Sequence, residues 1–103
     1  MKDRTRRPVA DRRAELLAAA LKLAVKHGYR NVTRAAVAEA CNVAESLVPY
    51  HFGTRVQFQR TLMRYAIHEG STAVVAQGLA DGNVYARKAP EGLRQAAIAG
   101  MSA

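Results

Sequence analysis

Few side chains in this sequence are suited to covalent or metal chemistry, and those few stand apart. The one cysteine, Cys41, has no cysteine or histidine neighbour at a ligand-like spacing. His51 stands between Tyr50 and Phe52, also without a second ligand nearby. The sequence contains no paired carboxylates in a pocket-forming context, no phosphate-binding loop and no metal-ligand spacing. We therefore expect no enzymatic activity, no cofactor and no metal, and we expect the function to depend on binding.

The charged side chains are numerous and unevenly distributed. The chain has 103 residues and a formal net charge of +8. Residues 1–64 contain 13 lysines and arginines against 5 aspartates and glutamates, whereas residues 65–103 contain 3 of each kind. All of the excess positive charge therefore lies in the first two-thirds of the chain. Such a field favours a polyanionic partner, nucleic acid before a membrane, although a basic surface that serves only solubility has the same totals.

Length and hydropathy indicate one small domain. Half of the residues are apolar, which is enough for a single core. No apolar run reaches the roughly 18 residues of a membrane span, and no apolar signal-peptide core follows the basic N-terminus. A single cysteine cannot form an internal disulfide. We expect a protein of the reducing cytoplasm with no membrane contact.

Hydrophobic periodicity predicts helices throughout, so the predicted fold class is all-α. Residues 1–10 are predicted to form a flexible basic arm. A first helix is expected from about residue 10 or 11 to Gly28, which offers a left-handed stop. Its core-facing stripe is predicted to contain Leu16, Ala20, Leu23 and His27, at spacings of four, three and four residues, widened by Leu17, Leu21 and Ala24.

Two short helices and a tight connection follow. Thr33 is suited to cap a second helix, RAAVAEAC, and Asn42 tolerates the left-handed backbone of a tight turn. A third helix is predicted at about 45–51, and the next glycine ends it. Thr54 and Gln57 form a capping box for a fourth helix. Two short helices joined by such a turn make a helix-turn-helix unit, whose second helix fits the major groove of DNA.

Residues 11–65 resemble the N-terminal DNA-binding domain of the tetracycline-repressor (TetR) family. The segment LLAAALKLAVKHGYRNVT is similar to the family's first helix and its glycine–aromatic exit. The segment VAEACNVAESLVPYHFGTRVQF is similar to the second helix, the turn, the recognition helix and the start of the fourth helix. The resemblance implies a sequence-specific transcriptional regulator, a repressor, whose partner is a double-stranded DNA operator.

The same resemblance implies which side chains face DNA. They are Thr33 and Arg34 at the start of the second helix, Glu45, Ser46, Leu47, Pro49, Tyr50 and His51 in the recognition segment, and Arg55 at a position that meets phosphate. Several have a plainer alternative, because Thr33 also suits a helix cap and Glu45 a helix N-terminus. Leu47 reads a thymine methyl or joins the core, and Tyr50 and His51 bond phosphate or pack beneath Phe52. In the arm, Arg4, Arg6 and Arg7 enter a minor groove or form a solvated tail.

Three residues depart from the family pattern. Asn42 replaces a turn glycine, and Ala44 replaces a capping serine at a cost of about 1 kcal/mol. Pro49 stands where the family often has a tyrosine that contacts phosphate. It predicts either a kinked third helix or a helix that begins late, with Pro49 in its first turn. If Pro49 has abolished DNA reading, the alternative function is a helical protein-interaction module, an anti-activator or adaptor.

The segment 66–103 is shorter than the ligand-binding domain that the family usually carries, so we expect no small-molecule effector. Its apolar residues are Val74, Val75, Leu79, Leu93, Ala97, Ile98 and Met101. They either fold back on the first helix or meet a partner, and two such runs exceed what so small a core needs. We expect a homodimer through residues of about 65–101, bound to a pseudo-palindromic operator.

Overall fold

The computed structural model describes residues 8–102, which form seven α-helices and one 3₁₀ helix, with no strand in this part of the chain. The helices are α1 (Val9–His27), α2 (Arg34–Cys41), α3 (Leu47–Phe52), α4 (Arg55–Glu69), α5 (Thr72–Ala80), α6 (Val84–Arg87) and α7 (Glu91–Ser102), and the 3₁₀ helix Tyr29–Asn31 follows α1. The all-α fold class is therefore confirmed. Arg4, Arg6 and Arg7 lie outside the described residues, so their expected roles stay predictions.

Helix α1 begins at Val9, inside the segment predicted to be a flexible arm. Its buried face includes Leu16, Leu17, Ala20 and Ala24, as the periodicity predicts. His27 is exposed, so its expected place in the core-facing stripe is wrong. The reason is local: the Gly28 amide closes the last turn on the Ala24 carbonyl at 2.8 Å, and Gly28 then leaves the helical path at φ 97°.

The turn after α2 forms as predicted. Asn42 has φ 56° and ψ 50°, the left-handed conformation, and is the one residue other than glycine with positive φ between residues 8 and 102. The Val43 amide then donates to the Ala38 carbonyl at 3.0 Å, which folds the chain back across α2. Helix α3 begins at Leu47, two residues later than predicted, and is anchored by Val48, which is 2% exposed.

A single buried cluster joins the N-terminal and C-terminal helices. Val74 and Val75 of α5 are completely buried and belong to the same cluster as Leu16 of α1 and Leu62 of α4. The expectation that Val74 and Val75 face a partner is therefore wrong. These two valines fill the core of their own chain, which is the fold-back alternative that the sequence left open.

Close backbone packing brings α5 and α6 together. A Cβ placed on Gly78 would lie 2.6 Å from the Ala86 Cβ and 2.6 Å from the Met63 Cε, so glycine is required by proximity and not by its φ angle. Asn83 starts α6, since its side chain accepts from the Tyr85 and Ala86 amides at 2.9 and 3.0 Å. Helix α6 has only four residues, too few for a periodic signal, and the sequence did not predict it.

Helix α7 packs along α5 and completes the C-terminal half. Ala97 faces inward at 1% exposure, and Leu93 is half-buried against the core. Ile98 and Met101 stay 46% and 51% exposed. The apolar surface that remains available on the C-terminal helices is therefore smaller than the sequence suggested.

Candidate nucleic-acid interface

The N-terminus of α2 is fixed by Thr33. Its hydroxyl accepts a hydrogen bond from the Ala36 amide at 3.1 Å, and its carbonyl accepts from the Val37 amide at 3.1 Å. The cap predicted from the sequence is thus present. Thr33 remains exposed, so the cap and an outside contact do not exclude each other. The first turn of α2 therefore presents its positive end to the surface.

The N-terminus of α4 is fixed by a reciprocal capping box. The Gln57 amide donates to the Thr54 hydroxyl at 3.2 Å, and the Thr54 amide donates to the Gln57 side-chain carbonyl at 2.8 Å. Gly53 precedes the box at φ 76°, and a Cβ there would collide with the Gln57 side chain. Glycine is therefore needed both for the turn after α3 and for the box that begins α4.

A surface cavity lies where these two helix starts meet α3. It has a volume of about 620 Å³, and Val32, Val48 and Phe58 contribute its apolar lining. Arg34 and Arg55 lie at the cavity together with the two capping threonines, Thr33 and Thr54. The starts of two helices and two arginines thus lie around one opening. Such an arrangement favours an anion, and a phosphate group is the natural candidate.

Pro49 occupies the third residue of α3, so it lies in the first turn. Amides in a first turn have no intrahelical partner, and the missing N–H of proline costs nothing there. The helix then continues, with the Tyr50 amide bonded to the Ser46 carbonyl at 3.2 Å and the Gly53 amide to the Pro49 carbonyl at 2.8 Å. Of the two outcomes that the sequence left open, the late start is the one observed.

The recognition segment divides into a buried and an exposed face. Val48 and Phe52 are buried, whereas Leu47 and Pro49 are half-buried. Glu45 and Ser46 are exposed in the turn before the helix, and Ser46 makes no side-chain cap. Tyr50 is 72% exposed, the highest value among the exposed large hydrophobic residues. The exposed side chains of the segment are therefore Glu45 and Ser46 before the helix and Tyr50 within it.

His51 is packed rather than projected. Its ring lies 5.1 Å from that of Tyr50 and 5.9 Å from that of Phe52, measured between centroids. Partial burial lowers the pKa of His51 below its usual value, and the nearby guanidinium groups of Arg13 and Arg12 lower it further. A neutral imidazole is a weak phosphate ligand, so these contacts favour the packing alternative for His51.

Arg13 was not among the residues predicted from the sequence. It is exposed, and its guanidinium lies 5.1 Å from the centre of the Phe52 ring, beside the recognition helix. Arg12, the preceding residue, is buried and donates to Glu15 at 2.9 Å. Two adjacent arginines on a helix are an ordinary surface pattern, so the sequence did not indicate that Arg13 lies beside Phe52.

Two predicted site residues, Arg34 and Glu45, bind each other. The Arg34 Nε donates to the Glu45 Oε2 at 2.8 Å, although the residues lie 11 positions apart. Their side chains are 63% and 50% exposed. The sequence indicated a separate role for each residue and did not predict this pair. The pair links the start of α2 directly to the turn that precedes α3.

The Arg55 side chain is held by a hydrogen bond to a residue outside the recognition helix. Its guanidinium donates to the Arg30 carbonyl at 3.0 Å. The Arg30 side chain in turn donates to both carboxylate oxygens of Asp81, at 2.8 and 2.7 Å. The Arg55 side chain remains exposed while its position is tied to the turn between α5 and α6.

The residues around this turn form a polar cluster that we call the brace: Tyr29, Arg30, Gln77 and Asp81. Tyr29 donates from its hydroxyl to Asp81 at 2.7 Å and from its amide to the Gln77 side chain at 2.8 Å. Gln77 also donates to the Ala24 carbonyl at 2.9 Å. The brace therefore fixes the exit of α1, from which the chain leads into Thr33 and Arg34. Nothing in the local sequence around Asp81 predicts this contact.

Two kinds of site are missing from the part of the chain that the structure describes. No three histidine, cysteine, aspartate or glutamate side chains there are grouped as a metal ion would require. No helix among residues 8–102 is long and apolar enough to cross a membrane.

Comparison with known proteins found a family model that matches part of the N-terminal half of the chain. The family model described as bacterial regulatory proteins, tetR family, matches residues 16–58. The matched segment runs from the middle of α1 to the first turn of α4 and includes the whole recognition segment. No curated protein and no solved structure matches the chain.

Proposed function

We propose that residues 16–58, which match the family model of bacterial regulatory proteins, tetR family, act as a DNA-binding domain. On this premise the protein is a transcriptional repressor that occupies operator DNA as a homodimer. It would act by excluding other proteins from the site, in the cytoplasm, without chemistry of its own. The observation that carries the proposal is the cavity between the starts of α2 and α4, because its lining combines Arg34 and Arg55 with Val48 and Pro49 of α3.

In this proposal, phosphate contacts position the domain and α3 reads the bases. Thr33, Arg34 and Arg55 bind the phosphate backbone on either side of the groove, supported by the positive ends of α2 and α4. Ser46 and Leu47 approach the base edges in the major groove, where an exposed hydroxyl and an apolar side chain are suited to different bases. Tyr50, the most exposed aromatic residue, bonds backbone phosphate through its hydroxyl.

The proposed dimer uses the outer side of α7. Val74 and Val75 are buried in the protomer and are unavailable. Ile98 and Met101 are exposed on α7, in the half of the chain whose formal charge is balanced. An isologous contact places the same patch of both protomers at the two-fold axis and the two recognition helices on a pseudo-palindromic site. Half-sites about 34 Å apart, or a multiple of that distance, are then expected.

Selection of duplexes from a random library by the full chain tests the proposal. We expect enrichment of one pseudo-palindromic sequence. Binding to that sequence should weaken by about 10³–10⁵-fold between about 50 and 200 mM salt if about 6–10 phosphates are contacted per dimer. A library that shows no enrichment, or an affinity that does not change with salt, would contradict DNA as the partner.

A further inference from the structure

The ion pair between Arg34 and Glu45 engages the arginine side chain that is expected to bind phosphate. Arg34 lies at the first position of α2 and Glu45 lies in the turn before α3, so the pair bridges the two elements that meet DNA. The 2.8 Å bond from Nε to Oε2 is charge-assisted. Glu45 uses only the Nε donor, and the guanidinium has further N–H groups. A DNA phosphate that binds those groups lies beside the Glu45 carboxylate, and the two anions repel each other.

We propose that Glu45 is a specificity-determining residue that suppresses binding to DNA of the wrong sequence by holding Arg34. The proposal rests on the proposed function, since it assigns a regulating partner to one of its phosphate contacts. On a duplex of arbitrary sequence, a phosphate bound by Arg34 either lies against the Glu45 carboxylate or displaces it from Nε and leaves Glu45 without this donor. Binding through the backbone alone is therefore weakened.

The operator restores a donor to Glu45. An ionised carboxylate only accepts hydrogen bonds, and most groups at the major-groove edges are also acceptors. The exceptions are the amines of cytosine and adenine, which occur once in each base pair and on a strand that depends on the sequence. A site that brings such an amine to Glu45 compensates for the broken ion pair, whereas other sites do not. Specificity thus includes a penalty against competitors as well as a contact to the correct site.

The test compares two substitutions that remove the same charge. Glu45→Gln removes the carboxylate that holds Arg34, and Glu39→Gln removes an exposed carboxylate of the same region, on α2. Affinity is measured at about 100 mM salt for the duplex selected by the wild-type protein and for a random-sequence duplex of equal length. Relative to Glu39→Gln, we expect Glu45→Gln to bind the random duplex about 3–10-fold more tightly. Its affinity for the selected duplex should not rise, so the ratio of the two affinities falls.

Repeating both substitutions in an Arg34→Ala background isolates the pair. There we expect the difference between Glu45→Gln and Glu39→Gln on the random duplex to become smaller, because the phosphate contact of Arg34 that Glu45 opposes is gone. The inference is overturned if Glu45→Gln behaves like Glu39→Gln in the wild-type background, or tightens both duplexes alike. It is also overturned if its effect is as large without Arg34 as with it. A wild-type protein that selects no duplex overturns the proposed function itself, which is a different result.

Discussion

The Tyr29 hydroxyl donates a 2.7 Å hydrogen bond to the Asp81 carboxylate across 52 positions of sequence. Tyr29 is 4% exposed, so the bond joins a buried ring at the exit of α1 to the turn between α5 and α6. Arg30, the next residue, accepts a hydrogen bond from Arg55 through its carbonyl. The contact between Tyr29 and Asp81 is therefore connected to a residue of the proposed phosphate site. The C-terminal helices are thus linked to the exit of α1, from which the chain leads into α2.

Acid should weaken this support. The hydrogen bond from Tyr29, followed by the contacts from Arg30, lowers the pKa of Asp81 below its usual value of 3.8. A carboxyl with a depressed folded-state pKa stabilises the protein above its unfolded-state pKa, and this contribution is lost as pH falls through the folded-state value. We expect Asp81→Asn to lower the free energy of unfolding at about pH 7, and the difference from wild type to shrink towards about pH 3.

Urea unfolding at the two pH values measures this difference. Glu39→Gln is the control, because Glu39 is exposed on α2 and lies outside the brace. A difference between wild type and Asp81→Asn that stayed constant down to strong acid would rule out a role for the ionised carboxylate.

Gly78 should be intolerant of even a methyl group. A Cβ at this position meets the Ala86 Cβ and the Met63 Cε at 2.6 Å each, and the Ala86 Cβ is attached directly to the backbone of α6, so the helix itself would have to move. We expect Gly78→Ala to destabilise the fold by about 1–3 kcal/mol through overpacking, despite the better helix propensity of alanine. Gly100→Ala is the matched control, because its Cβ enters open space and the change should be neutral or stabilising by at most about 1 kcal/mol. Thermal or urea unfolding of both variants decides between them, and equal effects would contradict the close packing of α5 on α6.

Leu47 and Arg55 should affect binding in different ways. We expect Leu47→Ala to change the preferred base at one position of the half-site, at a cost of about 1–3 kcal/mol for the original base. Arg55→Ala should weaken all sequences alike and reduce the dependence of affinity on salt, because it removes a phosphate contact. A panel of duplexes with single base-pair changes measures both effects. Reversal of the two profiles would show that the roles are assigned wrongly.

The oligomeric state should depend on the exposed side of α7. We expect the double substitution of Ile98→Glu and Met101→Glu to produce a monomer in sedimentation experiments, since it places two like charges on each side of the two-fold axis. The control is Val25→Glu on α1, a position that is 49% exposed and outside the proposed contact. If the wild-type chain is already a monomer at micromolar concentration, or if the α7 variant still dimerises, this interface is wrong.

Local signals in the sequence predicted the helix-turn-helix correctly. The cap at Thr33, the left-handed Asn42 and the capping box of Thr54 with Gln57 each depend on residues at most four positions apart. The 3.6-residue period likewise located the buried face of α1. Such features are encoded by backbone chemistry within one turn, so they can be read without knowledge of the fold.

Contacts between distant segments could not be read in this way. The pairing of Arg34 with Glu45 depends on the angle at which α2 meets the next turn, and both residues look like ordinary surface charges in sequence. Val74 and Val75 illustrate a second limit, because an apolar pair has the same pattern whether it fills its own core or faces a partner. The composition of a segment predicts that it will be buried, but not by which chain.

The brace can form only after most of the chain has been synthesised. Gln77 holds the Ala24 carbonyl, and it is synthesised 53 residues later. At about 5–20 residues per second this interval lasts about 3–10 s, during which Ala24 has been synthesised without the group that binds its carbonyl. We expect a nascent chain to acquire its full affinity for DNA only after Asp81 has been added, so that a truncated product released by the ribosome would compete poorly with finished protein for the operator.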